Sequence, residues 1–322
     1  MKEADISTPG VAVFGSCQTA RWMVRVMQDQ GFSVKAIWAR SNMEAEATAQ
    51  SLSIPFPTSR VDDVLLRKDV GLVVIFCPPS LHSQIAVKAL GIGKHVLSGV
   101  PGGLNQGECL RMVQAAQYYP SLMAVLAYSL RFLPSIVTMR DMVTRGYLGE
   151  SVTLVDVRIS CASLLDTKYT WSCDSGMGGG VLALLGSHVI DLLTFLKLGR
   201  VIRVHATLHT MTKITDNIRG IRQITADDVA MLQLHLVGGT FATISINSCL
   251  SDFLQEVTLC GTAGHLAARQ VGRKGRRWIM SIVCRLTSGE GRMEQLRMMS
   301  STLELILVSR HQDCPACMQM VW

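Results

Sequence analysis

The chain has 322 residues, 48% hydrophobic and 17% charged, with a formal net charge of +7. That length holds two domains of ordinary size, and that composition excludes a disordered protein. From His265 to Trp322 nine Lys/Arg face four Asp/Glu, so five of the seven surplus charges sit in the last segment. The body is near neutral, and no nucleic-acid partner is expected.

The opening MKEADISTPG is polar and lacks the apolar stretch of a signal peptide, and no segment reads as a membrane span of about 20 apolar residues. Ten cysteines are scattered without the spacing of a disulfide framework. They read as small buried hydrophobes in a reducing compartment, with the cytoplasm as expected location and the extracellular space as the alternative.

The first part alternates strand and helix. VAVFG is followed by a helix over 18–30, SVKAIWA by one over 43–52, and VGLVVIFCPP by one over 82–91; HVLSG, a helix over 105–117 and LMAVLAY complete the series. Short β-branched runs separated by helices of about a dozen residues predict a parallel sheet with right-handed crossovers. The second part changes character. SVTLVDVRIS, VIRVHATLHTM, VAMLQLHLVGGTFATISINS and QEVTLCG are longer alternating strands, with Gly238-Gly239 as a hairpin signal. A glycine-led helix, Gly178 to Leu196, lies among them. These strands predict an open, largely antiparallel sheet. The fold class is therefore α/β, a doubly wound parallel sheet of Rossmann type followed by a second α/β domain. Three segments follow: 1–127 binding a dinucleotide, 128–266 for substrate or oligomerisation, and 267–322 as a basic, poorly ordered tail without clear period.

The first strand-turn-helix carries a nucleotide-binding question. In the fingerprint G-x-G-x-x-G/A the middle glycine admits the pyrophosphate and the third lets helix pack on strand. Here Gly15, Cys17 and Ala20 hold the three positions. Alanine is an accepted third residue, whereas Cys17 adds a Cβ and a sulfur where the pyrophosphate approaches. The second strand ends in Ala39, Arg40 and Ser41, without the acidic residue that takes ribose hydroxyls in NAD-selective domains. An Arg followed by Ser accommodates a 2′-phosphate, so NADP is expected over NAD.

With Gly15, Pro78, His82, Gly178–Gly180 and His188 in this order, the chain resembles the glucose-fructose oxidoreductase / inositol dehydrogenase family, and within it the animal glucose-fructose oxidoreductase domain-containing proteins. GIGKHVL, LRFLP, KYTWSCDSGMGGG, GSHVIDLLTFL, GIRQITADD and LCGTAGHL carry the resemblance, which spans roughly Val11 to Leu266. It implies a dinucleotide partner, NAD(P)-dependent oxidation of a sugar or polyol hydroxyl, and an open C-terminal sheet that serves as a homo-oligomer interface. It also places Pro78 and His82, in CPPSLH, at the strand bordering the nicotinamide; His82 equally reads as the start of the next helix.

The resemblance then breaks at the chemistry. Where the family carries E-K-P, this chain has Gly99, Val100 and Pro101. Where the family helix reads G-G-G-x-x-x-D-x-G-x-H, His188 is present and Leu184 holds the aspartate position. His188 is the one catalytic candidate, and a buried helix histidine is its plain structural reading. Asp191 is expected to serve the fold. No metal site is expected: Cys314 and Cys317 form a lone C-x-x-C, and GRKGRRW reads as a solvated basic loop. The expected function is an oxidoreductase-family protein with degraded catalytic positions. The alternatives are an active NADP-dependent oxidoreductase and a non-enzymatic interaction protein using the open sheet face.

Overall fold

The computed structural model describes residues 8–165, 169–214, 223–249, 253–271 and 277–284, with 271 and 277–284 described through their backbone alone. Cys314, Cys317 and the basic cluster from Arg273 up to Arg277 lie outside the described residues, but for the backbone of Arg277. The chain forms two compact units, Met1–Ala127 and Tyr128–Trp322.

In the first unit the elements run β1 (Val11–Phe14), α1 (Gln18–Asp29), β2 (Val34–Trp38), α2 (Asn42–Leu52), β3 (Phe56–Thr58), α3 (Val61–Leu65), β4 (Leu72–Ile75), α4 (His82–Gly91), β5 (His95–Ser98), α5 (Gln106–Tyr118) and β6 (Ala124–Leu126). The sheet order is β3-β2-β1-β4-β5-β6, and every pairing is parallel. All four residues of β1 are buried, Ala12 and Phe14 in the apolar cluster on one side of the sheet and Val11 and Val13 in that on the other. Coverage of both faces is why these strands read as continuous apolar runs. The order reverses between β1 and β4, the crevice in which such sheets bind ligands. Two short elements, β3 and α3, escape the sequence reading. β3 is a three-residue edge strand that tolerates Pro57, and α3, at five residues, is too short to show a period.

The second unit contains α6 (Pro134–Thr144), β7 (Val152–Ser160), α7 (Ser187–Phe195), β8 (Val201–His209), β9 (Val229–Leu236), β10 (Phe241–Asn247), β11 (Leu254–Gly261), β12 (Gly264–Val271) and β13 (Arg277–Cys284). The sheet order is β13-β12-β11-β7-β10-β9-β8; β7 and β10 run parallel and the other pairings are antiparallel. Period-two burial along β9, β10 and β11 gives the sheet one apolar face, which packs on α6 and α7. Among the described residues no helix covers the other face.

Three details depart from the sequence reading. The sheet continues past Leu266 through β12 and β13, so a boundary at 266 falls inside a strand. Alternating Leu266 and Ala268 are buried there, a pattern that small residues disguise. The glycine-led helix is not uniform: Leu182–Gly186 is a π-helical turn, and the α-helix proper begins at Ser187. Finally, Ser175–Phe195 is apolar enough by length and composition to cross a membrane. Its Val181, Leu185, Val189, Leu192 and Leu193 are instead buried in the core of this unit, which accounts for that character.

Candidate functional site

In the first unit the turn after β1 keeps the backbone of a dinucleotide cradle. Gly15 has φ +131°, and a Cβ there would lie 2.4 Å from the Phe76 carbonyl oxygen, so only glycine lets β1 cross the end of β4 this closely. Its N–H donates to Trp38 O at 2.9 Å. Ala20, at the third fingerprint position, is sealed where α1 packs on the sheet. Cys17 stands exposed at the N-cap of α1, and its thiol donates to Phe76 O at 3.3 Å. No acidic side chain lies in the first turn of α1, which leaves the positive end of the helix dipole available to a phosphate. These residues fit a pyrophosphate, with the Cys17 side chain as the one added bulk.

The loop is braced from α2. Arg21 donates to Ser16 O at 2.9 Å, to Thr48 Oγ1 at 2.8 Å and to Ser51 Oγ at 3.2 Å. The Ser16 hydroxyl donates to the Glu44 carboxylate. Ser41 is the N-cap of α2, its Oγ accepting the Glu44 N–H at 3.3 Å. Arg40 is exposed, with no ion-pair partner among the described residues. The expected NADP preference therefore rests on Arg40, since Ser41 already caps a helix.

Pro78 precedes a short 3₁₀ turn, and His82 opens α4. The His82 ring is 2% exposed, with Nδ1 2.8 Å from Pro101 O and Nε2 2.8 Å from Cys77 O; the neutral ring donates to one of these carbonyls, set by its tautomer, and only the protonated ring donates to both. Burial lowers its pKa, against the two carbonyls that raise it. In this structure the ring is wedged between the Gly99–Pro101 loop and the end of β4, Nδ1 facing the first and Nε2 the second. Val100, half-buried in that loop, offers neither a charge nor a hydrogen bond.

The second unit places His188 in the first turn of α7, 3% exposed, edge-on to the Tyr128 ring at 5.8 Å. Its Nδ1 is sealed with no hydrogen-bond partner. Desolvation pushes its pKa down to about 4, against a smaller upward pull from Asp191. Asp191 is occupied otherwise: Arg131 grips it with Nε at 2.7 Å and Nη2 at 2.5 Å, while the guanidinium lies over the Tyr128 and Phe195 rings at 5.6 and 5.5 Å. Leu184, in the π-helical turn, packs against the apolar core.

The glycine loop ahead of this helix is threaded between two walls. A Cβ at Gly179 would lie 2.3 Å from Ser172 O, and one at Gly180, with φ +106°, would lie 2.1 Å from Asp227 Oδ1. Asp227 Oδ2 accepts the Leu182 N–H at 2.8 Å, and its backbone carbonyl accepts the Val181 N–H at 2.9 Å. Asp227 thus anchors the start of the helix that carries His188, a role the sequence reading missed because 47 positions separate Gly180 from it. Glu44 was missed too, although Ser41-x-x-Glu44 has the spacing of a capping box. Within the first unit Gly15, Cys17 and Ala20 share one turn, Arg40 and Ser41 the next, and Pro78 and His82 the end of β4; His188 belongs to the second unit.

Comparison with known proteins agrees with both halves. Residues 10–126 match the family model described as oxidoreductase family, NAD-binding Rossmann fold, and residues 136–267 match that of the GFO/IDH/MocA C-terminal domain. Glucose-fructose oxidoreductase domain-containing protein 1 of Mus musculus is 47% identical over 270 residues, covering 84% of this chain and 68% of that protein. Glucose-fructose oxidoreductase domain-containing protein 2 of Homo sapiens is 42% identical over 270 residues, covering 84% and 69%. Among solved structures, levoglucosan dehydrogenase in complex with NADH is similar with a TM-score of 0.77 at 18% identity, over 90% of this chain and 80% of that one. On the two family models and these relatives, the chain belongs to the GFO/IDH/MocA oxidoreductase family, alongside the animal glucose-fructose oxidoreductase domain-containing proteins.

Proposed function

We propose that this chain binds a nicotinamide dinucleotide in the crevice of its first unit and no longer oxidises a sugar or polyol hydroxyl at an appreciable rate. The binding half rests on the cradle of Gly15, Ala20 and the α1 N-terminus, and on structural neighbours solved with NADH, one also with levoglucosan. A bound nicotinamide supplies the hydride acceptor; the protein must supply the base that takes the hydroxyl proton.

The observation that carries the loss of chemistry is the state of His188 and Leu184. A base works best with a pKa near the working pH. His188, held near 4 by burial, is neutral but weakly basic. Its Nδ1 has no partner to fix a tautomer, and Leu184 brings core packing where the family resemblance places a carboxylate. Val100 removes a second polar group from the same reaction.

The test is direct. The full chain is titrated with NADH and NADPH by nicotinamide fluorescence and thermal shift, then assayed on a polyol panel. Saturable binding without turnover is the expected result. In a Cys17→Gly background, Val100→Lys with Leu184→Asp is expected to raise turnover, each restored group being worth about 10²–10⁴-fold. Wild-type turnover that disappears in His188→Asn would overturn the reading.

A second reading, an interaction protein docking through its second sheet, is favoured by β8. This edge strand is exposed at all nine positions, with Ile202 67% and Val204 58% exposed. It requires no binding of either dinucleotide.

A further inference from the structure

We propose that Glu44 reads the adenosine ribose and makes the chain selective for NAD over NADP, an inference that rests on the dinucleotide reading above. The carboxylate usually found at the end of the second strand is absent, and Ala39, Arg40 and Ser41 follow β2. One helical turn later, Glu44 supplies one from α2.

Its position follows from two contacts. The Ser41 cap fixes Glu44 in the first turn of α2, and from there its carboxylate accepts the hydroxyl of Ser16, the residue between Gly15 and Cys17. A side chain of α2 therefore reaches the turn that follows β1. β1 and β2 are parallel neighbours with Phe14 opposite Trp38, so the two turns lie side by side at the carboxyl ends of their strands. In doubly wound sheets the adenosine ribose lies between these two turns while the pyrophosphate rests on the first helix N-terminus. Glu44 bridges that gap. The bridge is also held firmly, because Arg21 ties Ser16 to Thr48, a fully buried residue of α2.

The chemistry then discriminates between the two cofactors. An ionised carboxylate only accepts hydrogen bonds, with room for two ribose hydroxyls. A 2′-phosphate offers further acceptors and negative charge, so it meets repulsion at the same place. Arg40 pulls the other way; both side chains are exposed, but Arg40 has no ion-pair partner among the described residues and must be ordered on binding, whereas Glu44 is held by Ser16. The preorganised charge decides the preference.

The experiment titrates NADH and NADPH, by nicotinamide fluorescence, into the wild-type full chain, Glu44→Gln and Arg40→Ala. Gln keeps the size and leaves the backbone cap of α2 intact. The wild type is expected to bind NADH more tightly. Glu44→Gln is expected to shift the NADH:NADPH affinity ratio toward NADPH by about tenfold, the value of one charged hydrogen bond. If both cofactors bind and Glu44→Gln leaves the ratio unchanged, or if the wild type prefers NADPH and Arg40→Ala abolishes that preference, the inference is overturned and dinucleotide binding stands. If neither cofactor binds the wild type or the Cys17→Gly variant, the dinucleotide reading itself fails and this inference with it.

Discussion

Lowering the pH should destabilise this protein through His188 in particular. The ring is 3% exposed, and its pKa falls from 6.5 to about 4 on burial. Between those values the unfolded chain binds a proton that the folded chain refuses, so stability is complete above pH 6.5 and declines as the pH falls toward 4. The full gap corresponds to about 3 kcal/mol, at 1.36 kcal/mol per tenfold in proton affinity. At about pH 4.5 the expected loss from this one residue is about 2.5 kcal/mol, by the same linkage. His82, also buried with a lowered pKa, acts in the same direction, so the wild type alone does not isolate the effect. His188→Phe does. It retains an aromatic edge against Tyr128 and removes no hydrogen bond from Nδ1, which has none. Urea unfolding of both proteins at about pH 8 and pH 4.5 gives two differences, and the wild-type loss should exceed the variant loss by about 2 kcal/mol. Equal losses in the two proteins would refute the buried, neutral ring.

Two further substitutions test the scaffold. Gly180→Ala places a Cβ 2.1 Å from Asp227 Oδ1 at φ +106°. Thermal unfolding should show a loss of about 3 kcal/mol, whereas Gly146→Ala, with φ +77° and no atom within 4 Å, should lose only about 1 kcal/mol of backbone strain. Lys94→Met removes a buried ammonium that donates to Arg67 O and Val70 O, both at 2.6 Å. Two carbonyls lose their partner, and urea unfolding should register a loss of about 2 kcal/mol.

The elements legible in the sequence are those whose signal is local and long enough to repeat. α1, α2 and α4 lie within a residue or two of their expected bounds, because a dozen residues with caps or a following glycine carry their own period. The π-helical turn at Leu182–Gly186 was not legible, since VLALLG has the same apolar texture in either helix. The last strands were hidden for a different reason: β12 alternates through Ala267, Ala268 and Arg269, where small residues blur inside and outside. At the candidate site, Gly15 and His188 stood out by motif. Asp227 could not, because its acceptor role exists only once Gly180 has been brought to it across the chain. Glu44 did leave a mark, the Ser41-x-x-Glu44 spacing, but that spacing reports a helix start and says nothing of Ser16.

The residues that maintain the fold and those that perform the chemistry are separable here, and the separation bears on function. Gly15, Gly179 and Gly180 are family landmarks, yet each is required by the fold alone. A Cβ at any of them would meet Phe76 O, Ser172 O or Asp227 Oδ1 at 2.1–2.4 Å. Their presence would follow from folding in an active enzyme and in an inactive one, so they carry no weight for catalysis. Cys17, Val100 and Leu184 are different. Cys17 is exposed, Val100 is half-buried in a loop beside His82, and Leu184 lies at the margin of the core; no backbone crossing depends on any of them. Free of such constraints, these are the positions to which the family resemblance assigns binding and proton transfer. Against the pattern that the family resemblance supplies, all three are apolar or bulkier, in two units with separate cores, while the structural glycines are in place. A general loosening of the fold would have struck the glycines as well. Departures confined to the positions that the family resemblance gives to chemistry, with the structural glycines in place, are the ground on which the proposed loss of activity rests.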